Sequence, residues 1–330
     1  MTTRPEARSS VDGREYRRTA FGLALSIDSR ISLPGLGTSP RPAVTDPPSL
    51  VLLNPKELDR RWGAVTTEPQ RARELRFGDE ILLTVDFAEP AGYLMWARDF
   101  GRILIAPDGV ELVCEPDPAV EQWANILSFQ ALPLAATIRG LEVLHASGVL
   151  LDGSAVLFAG PPGAGKSSLA AALVRAGGQL LSDDAVALQL SDDALIAHPG
   201  SAVLQLRATE DERLSVDERA ALGHKGSTVE GKRRYVRDEH PEPAPLGGVF
   251  LLSRSSDEPS VEQLAAVDPF ELIASTFNLS VRTPARLQRQ LDVVSAIASG
   301  GLAHRLRVQP GVNATELAAT IQRHLAAVLA

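Results

Sequence analysis

The chain has 330 residues, 44% hydrophobic and 22% charged, with a formal net charge of −8. That composition is globular, the length has room for two domains, and the acidic balance argues against a nucleic-acid binder or a protein drawn to an anionic membrane. One cysteine, Cys114, excludes an intrachain disulfide; the six histidines are scattered rather than set at zinc spacing. No apolar run approaches the roughly 20 residues of a membrane-spanning helix.

In chain order, residues 1–18 read as a polar tail without the apolar core of a secretory signal. Residues 34–49 form a Pro/Gly-rich loop. Four short strand-like runs follow at 81–87, 93–97, 102–106 and 110–114, separated by Glu89-Pro90-Ala91-Gly92 and Pro107-Asp108-Gly109. This spacing predicts an antiparallel sheet and a small β-rich N-terminal domain over 19–120. The character changes near Glu121. A helix is predicted over 121–138 and a strand over 142–151, and Asp152-Gly153 is a hairpin signal into a buried strand at 155–159. A helix at 168–175 stops at Gly177-Gly178, and strand segments at 179–181 and 185–190 flank Ser182-Asp183-Asp184. Residues 207–247 read as a charged, mobile, loop-rich segment. Beyond it come a strand at 249–253, helices at 268–280 and 284–299, and a strand at 302–308. In the closing helix Leu317, Ile321, Leu325 and Leu329 form a core stripe.

The chemistry concentrates between 145 and 184. Gly160-Pro161-Pro162-Gly163-Ala164-Gly165-Lys166-Ser167 matches G-x-x-x-x-G-K-S in full, after an apolar strand and before an Ala/Leu-rich helix that opens with Ser168. Glycines let backbone N–H groups face phosphate oxygens, and the helix N-terminus adds positive potential. Lys166 suits the β- and γ-phosphates of a nucleoside triphosphate, and the Ser167 hydroxyl suits Mg²⁺. Asp183-Asp184 lies seventeen positions beyond Lys166. At the carboxyl end of a neighbouring strand in a parallel sheet, such a pair can hold Mg²⁺ and accept the proton of an attacking hydroxyl. Asp192-Asp193 follows a polar serine and reads as an ordinary turn. His145 ends an upstream apolar segment; a lone histidine there is ordinarily structural. Lys225 and Lys232-Arg233-Arg234 fall in the 207–247 segment, where Lys232 and Arg233 are candidates for docking the γ-phosphate or an acidic acceptor.

The stretch 144–188 resembles the catalytic domain of HPr kinase/phosphorylase, and more closely the wider HPr kinase-like group that includes members beside peptide-tailoring genes. His145, Lys166 and Asp183-Asp184 fall on that family's histidine, loop lysine and aspartate pair. The resemblance implies an α/β fold of the HPr kinase / phosphoenolpyruvate carboxykinase type over 121–330, with a separate N-terminal domain. It implies a cytoplasmic ATP- and Mg²⁺-dependent kinase acting on a hydroxyl, such as serine of a peptide or protein. His145, Lys166, Asp183 and Asp184 would be catalytic, and Ser167 and Asp184 would face the metal. Departures matter too. Ser168 stands where the bifunctional enzymes carry glutamate, Gln205 stands where they carry a metal-binding glutamate, and no R-P-G-R-N-type segment occurs. These argue against phosphorylase activity and against HPr as the acceptor. A small-molecule kinase and a regulatory nucleotide-binding protein stay open, as does a homo-oligomer. The absence of N-K-x-D argues against a GTPase.

Overall fold

The computed structural model describes residues 16–38, 42–98, 100–116, 123–191, 194–229, 231–255, 258–277, 279–309 and 311–328. Asp192-Asp193, Leu329, positions 1–15 of the expected tail and the expected domain boundary at 120/121 lie outside them. Tyr16 to Arg18, assigned above to the tail, belong instead to a strand.

The first sheet is eight-stranded and larger than the four runs suggest. Its strands are β1 (Tyr16–Ala20), β2 (Leu23–Ile27), β3 (Val44–Leu53), β4 (Gln70–Phe77), β5 (Glu80–Ala88), β6 (Gly92–Ala97), β7 (Gly101–Ile105) and β8 (Glu111–Pro116), in the order β1-β2-β3-β8-β7-β6-β5-β4. The pairs among β4 to β8 are antiparallel, as expected, but β3 runs parallel to both β2 and β8. The proline-rich stretch before Ser49 is therefore part of a strand. Pro47 and Pro48 fit because the β2–β3 register jumps from Leu23↔Val44 to Leu25↔Ser49, leaving them in a bulge outside the ladder. β4 escapes notice in the sequence because it is a mostly exposed edge strand, QRARELRF, with no buried face to alternate. Tyr93 and Met95 on one face join the main core, whereas Leu94 on the other packs with Leu58 of α1 (Pro55–Gly63).

Residues 124–138 are helical, as expected, but not uniformly. A π-helical turn (Leu127–Ala131) separates α2 (Ala124–Ile126) from α3 (Leu132–Ile138). The single strand expected at 142–151 breaks at His145 into β9 (Glu142–Leu144) and β10 (Ala146–Leu151), because the two halves join different neighbours. β10 turns through Asp152 and Gly153, both at positive φ, into β11 (Ser154–Ala159). That is the two-residue hairpin geometry that Asp-Gly favours. The chain continues through α4 (Lys166–Arg175), β12 (Gln179–Ser182), β13 (Val186–Ser191) and β14 (Ala194–His198). The segment expected to be a mobile loop is folded. β15 (Val203–Arg207), β16 (His224–Val229) and β17 (Lys232–Val236) form a three-stranded sheet, with α5 (Ala208–Asp211) and α6 (Val216–Leu222) between. Then come β18 (Ala244–Arg254), β19 (Ser260–Gln263), α7 (Pro269–Ile273), α8 (Pro284–Ser299), β20 (Ala303–Val308) and α9 (Ala314–Val328). The helix expected over 268–280 is thus only the short α7.

The central sheet is mixed rather than parallel. β12, β10, β11 and β18 are successive neighbours, with β20 beyond β18. β11, β18 and β20 run parallel, while β10 is antiparallel to both β11 and β12. The carboxyl ends of β11, β12, β18 and β20 therefore share one edge. α4, α9 and the inner face of the three-stranded sheet cover one side through Leu169, Leu173, Leu204, Leu206, Ile321 and Leu325. α7 and α8 cover the other through Leu272, Val293 and Ile297.

His304 of β20 stacks on Phe250 and lies 3.1 Å from the His324 ring nitrogen of α9. Burial, reinforced by His324, pulls its pKa from 6.5 to about 4. A histidine whose folded pKa is depressed favours the fold above 6.5 and loses that contribution as pH falls toward 4. His304→Phe should therefore remove about 2 kcal/mol of the stability that the wild type loses between pH 7.5 and 5. Urea denaturation at the two pH values measures this, and an unchanged pH dependence would refute it.

Candidate active site

The loop 160–165 leaves the carboxyl end of β11 and turns directly into α4. Two glycines are needed there. Gly160 has φ 152°, and a Cβ on it would lie 3.0 Å from the Leu252 carbonyl oxygen of β18. Gly163 has φ 80°, and its Cβ position lies 3.3 Å from Arg207 Nη2. The loop is thus wedged between β18 and an arginine, with backbone where side chains would collide. Arg254, at the carboxyl end of β18, donates from Nη2 to Gly163 O at 3.0 Å. Lys166 is 8% exposed and folds back over the loop, its Nζ donating to Gly160 O at 2.8 Å. Burial lowers its pKa, opposed by Asp184 and Asp183, while Lys232 pushes it down further.

Asp183 lies at the end of β12 and is completely buried among donors. Its Oδ1 accepts from Ser147 Oγ of β10 at 2.5 Å and from Ser167 Oγ of α4 at 2.9 Å; its Oδ2 accepts from the Gln205 backbone N–H of β15 at 2.9 Å. Desolvation nevertheless raises its pKa, with the Asp184 charge adding to the rise and the three hydrogen bonds opposing it. β12 is not the immediate neighbour of β11, as a parallel sheet would have made it. β10 lies between them, and the carboxylate reaches the loop through Ser167.

The next residue faces the other way. Asp184 has φ 77°, a left-handed conformation that non-glycine residues seldom adopt. This turn separates the carboxylates: Asp183 is buried, whereas the Asp184 side chain is 32% exposed. His145 Nδ1 is 2.9 Å from the Asp184 carbonyl oxygen and 3.6 Å from Oδ1. A carbonyl only accepts, so Nδ1 carries the hydrogen and Nε2 holds the lone pair. Burial lowers the imidazole pKa, and the charges of Asp184 and Lys166 act on it in opposite senses. His145 also sits at the strand break, where its N–H donates to Ser275 O at 2.6 Å.

The structure brings His145, Lys166, Ser167, Asp183 and Asp184 to one sheet edge. Ser167 contacts Asp183, while Asp184 stands on the His145 side. Ser168 Oγ donates to Glu210 Oε1 at 2.8 Å. The basic segment divides. Lys232 lies opposite Arg207 in the β15–β17 ladder and acts electrostatically on Lys166. Arg233 points to the other face, 3.6 Å from Asp211 and bonded to Thr228. Lys225 is in β16 opposite Tyr235. Sequence reasoning assigns no site role to Ser147, Arg207, Glu210 and Arg254. For Arg254 a signal exists, because it directly follows the strand read at 249–253 and so ends a strand beside the loop. Ser147 and Glu210 carry none; only the folded register brings them in.

A cavity of about 530 Å³ opens beside the loop, lined by Gly165, Ser168, Glu210, Arg254, Val308 and Asn313 among others. Among the described residues no group of three or more His, Cys, Asp or Glu side chains could hold a metal, and no helix is long and apolar enough to cross a membrane.

The sequence matches no protein-family model and no curated protein. Among solved structures, the Hpr(Ser) kinase/phosphatase from Coxiella burnetii is similar to this chain at 13% identity, with a TM-score of 0.30, over 57% of this chain and 99% of that one. This is a distant likeness, and the chemistry of the site rests on its own geometry.

β9, which delivers His145, is anchored by a buried ion pair. Arg286 Nη2 of α8 donates to Glu142 Oε1 at 2.8 Å, with the two side chains 2% and 0% exposed. Burial still holds the Glu142 pKa above its ordinary 4.5. Arg286→Met should cost about 3–5 kcal/mol at neutral pH, because it takes from a buried carboxylate its directly bonded cation. The penalty should shrink below pH 4.5, where Glu142 protonates in both states, and Glu142→Leu added to Arg286→Met should recover most of it. Chemical denaturation at pH 7 and 4 checks all three.

Proposed function

We propose that this protein is an ATP- and Mg²⁺-dependent kinase that transfers the γ-phosphoryl group to a hydroxyl acceptor, with Asp184 as the base. The observation that carries this is the joining of the glycine-rich loop to the aspartate pair: Ser167 bonds Asp183, and the next residue, Asp184, turns its part-exposed carboxylate away from that buried contact. A loop alone would bind phosphate. A half-exposed carboxylate next to it supplies what transfer to a hydroxyl needs.

Loop N–H groups and the α4 N-terminus would take the phosphates. Lys166 would swing from the Gly160 carbonyl to the transferring group, with Arg207, Arg254 and Lys232 as further positive charge. The cavity beside Gly165 and Ser168 suits the nucleoside, since ligand pockets commonly span about 300–1,000 Å³. Mg²⁺ fits this donor set, because it takes few protein ligands and completes its shell with phosphate oxygens and water. Ser167 would hold it with Asp183 behind, and Asp184 within the same cluster; bound there, the ion would neutralise charge on the phosphates. Gln205, being neutral, adds no carboxylate to that shell.

In the transfer, Asp184 takes the proton of the acceptor hydroxyl as its oxygen bonds to the γ-phosphorus. The bond from that phosphorus to the β–γ bridging oxygen breaks, and ADP leaves with the electron pair. His145 positions Asp184 by donating to its carbonyl; neutral at pH 7, it leaves the carboxylate free to accept the proton.

Asp184→Asn should lower transfer from γ-labelled ATP by about 10²–10⁴-fold, the usual weight of a positioned base, while ATP still binds by calorimetry. Lys166→Ala should weaken both. Binding of ATP by the wild type without transfer to any peptide, protein or small-molecule hydroxyl would favour a regulatory nucleotide-binding protein instead.

A further inference from the structure

The kinase reading gives no role to the half-buried Arg73. Arg73 lies on β4, the edge strand of the first sheet, far in sequence from the loop. Its Nη1 donates to Gln130 Oε1 at 3.1 Å, and among the described residues it forms no ion pair. Burial pulls its pKa below that of ordinary arginine, and the opposing charge that acts on it is Asp184. A guanidinium desolvated without a bonded anion is costly to keep. It is the arrangement expected where an anionic ligand completes the pairing.

A second arginine is held on the adjacent residue of the same π-helical turn. The Arg234 guanidinium lies over the Phe129 ring, 5.3 Å from its centroid. Arg234 is opposite Gln205 in the β15–β17 ladder, and the Gln205 N–H bonds Asp183. Two residues along, about 7 Å at strand rise, Arg207 and Lys232 pair on the same face near Gly163 and Lys166. Leu204, Leu206 and Tyr235 on the opposite face pack into the core, so the basic face is turned away from α4. The turn at Leu127–Ala131 therefore carries Phe129 and Gln130 as adjacent supports for two guanidinium groups. π-Helical turns recur at functional sites, where the extra residue redirects side chains.

We propose that Arg73 is the oxyanion-binding residue of an acceptor subsite, with Arg234 adding positive charge beside it, so that the hydroxyl phosphorylated at Asp184 belongs to a molecule with its own carboxylate or phosphate. This rests on the kinase reading above. Planar guanidinium forks bind either group bidentately. The first sheet then contributes directly to acceptor choice, and the basic ladder divides into a phosphoryl-donor end at Arg207 and Lys232 and an acceptor end at Arg234.

The test is transfer from γ-labelled ATP to two matched acceptor sets. One is seryl peptides with Asp or Glu beside the serine, against the same peptides with Asn or Gln. The other is glycerate and glycerol 3-phosphate against glycerol. The wild type should favour the anionic members of at least one set by tenfold or more in kcat/KM, and the responding set identifies the source of the anion. Arg73→Gln should cut that preference to within about threefold by raising KM rather than lowering kcat, and Arg73→Lys should restore part of it. Circular dichroism confirms that the variants fold, as expected for an edge strand. Equal use of neutral and anionic acceptors, or a preference kept in Arg73→Gln, overturns the subsite while leaving the kinase. No transfer by the wild type to any acceptor overturns both.

Discussion

One buried carboxylate organises the site. Asp183 accepts hydrogen bonds from a strand (Ser147), a helix N-terminus (Ser167) and a second sheet (Gln205), and so fixes three elements at a single point. Hydrogen bonds to a charged acceptor each contribute about 1.5–3 kcal/mol. Here they work against full desolvation and a neighbouring like charge, and the raised pKa shows which side prevails. The arrangement is strained electrostatically in a way that a nearby cation relieves. A carboxylate so placed is poorly explained by stability alone and well explained by a site built around positive charge.

The division between the two aspartates follows from one backbone angle. Had Asp184 continued in an extended conformation, side-chain alternation would still have set the carboxylates apart, but without the sharp turn that brings the Asp184 carbonyl to His145. The left-handed residue costs on the order of 1–3 kcal/mol, and the His145 hydrogen bond helps to hold it. His145 is in turn held where the strand breaks, by the Ser275 carbonyl and, through β9, by the Glu142–Arg286 pair three residues earlier. The site's geometry is thus inherited from a chain of buried polar contacts rather than from hydrophobic packing alone.

How much of this was legible in the sequence varies residue by residue. The loop, β10–β11 hairpin and α4 were, because Gly, Asp-Gly and apolar periodicity act locally. The strands at 80–88, 92–97, 101–105 and 111–116 were legible for the same reason. β3 was not, because its prolines sit in a bulge defined only by its partner β2. β16 and β17 were hidden by their charge: Lys232, Arg233 and Arg234 suit a solvated loop until Arg233 finds Asp211 and Arg234 finds Phe129. The pairing of Ser167 with Asp183, and that of Arg73 with Gln130, depend on strand order and inter-sheet packing, which no local pattern encodes.

The main hydrophobic cluster runs without interruption from Ala20 and Phe21 through Met95 and Leu134 to Ala185, Ala187 and Val281. Ala185, the residue after the candidate base, is thus bedded in the same apolar mass as the inner face of the first sheet. Close-packed interiors pass displacements on rather than absorbing them. The first sheet therefore shares one packed core with the residue that follows Asp184. Recombination that exchanged this sheet for another would have to reproduce its inner surface side chain by side chain, so the two halves are bound to diverge together.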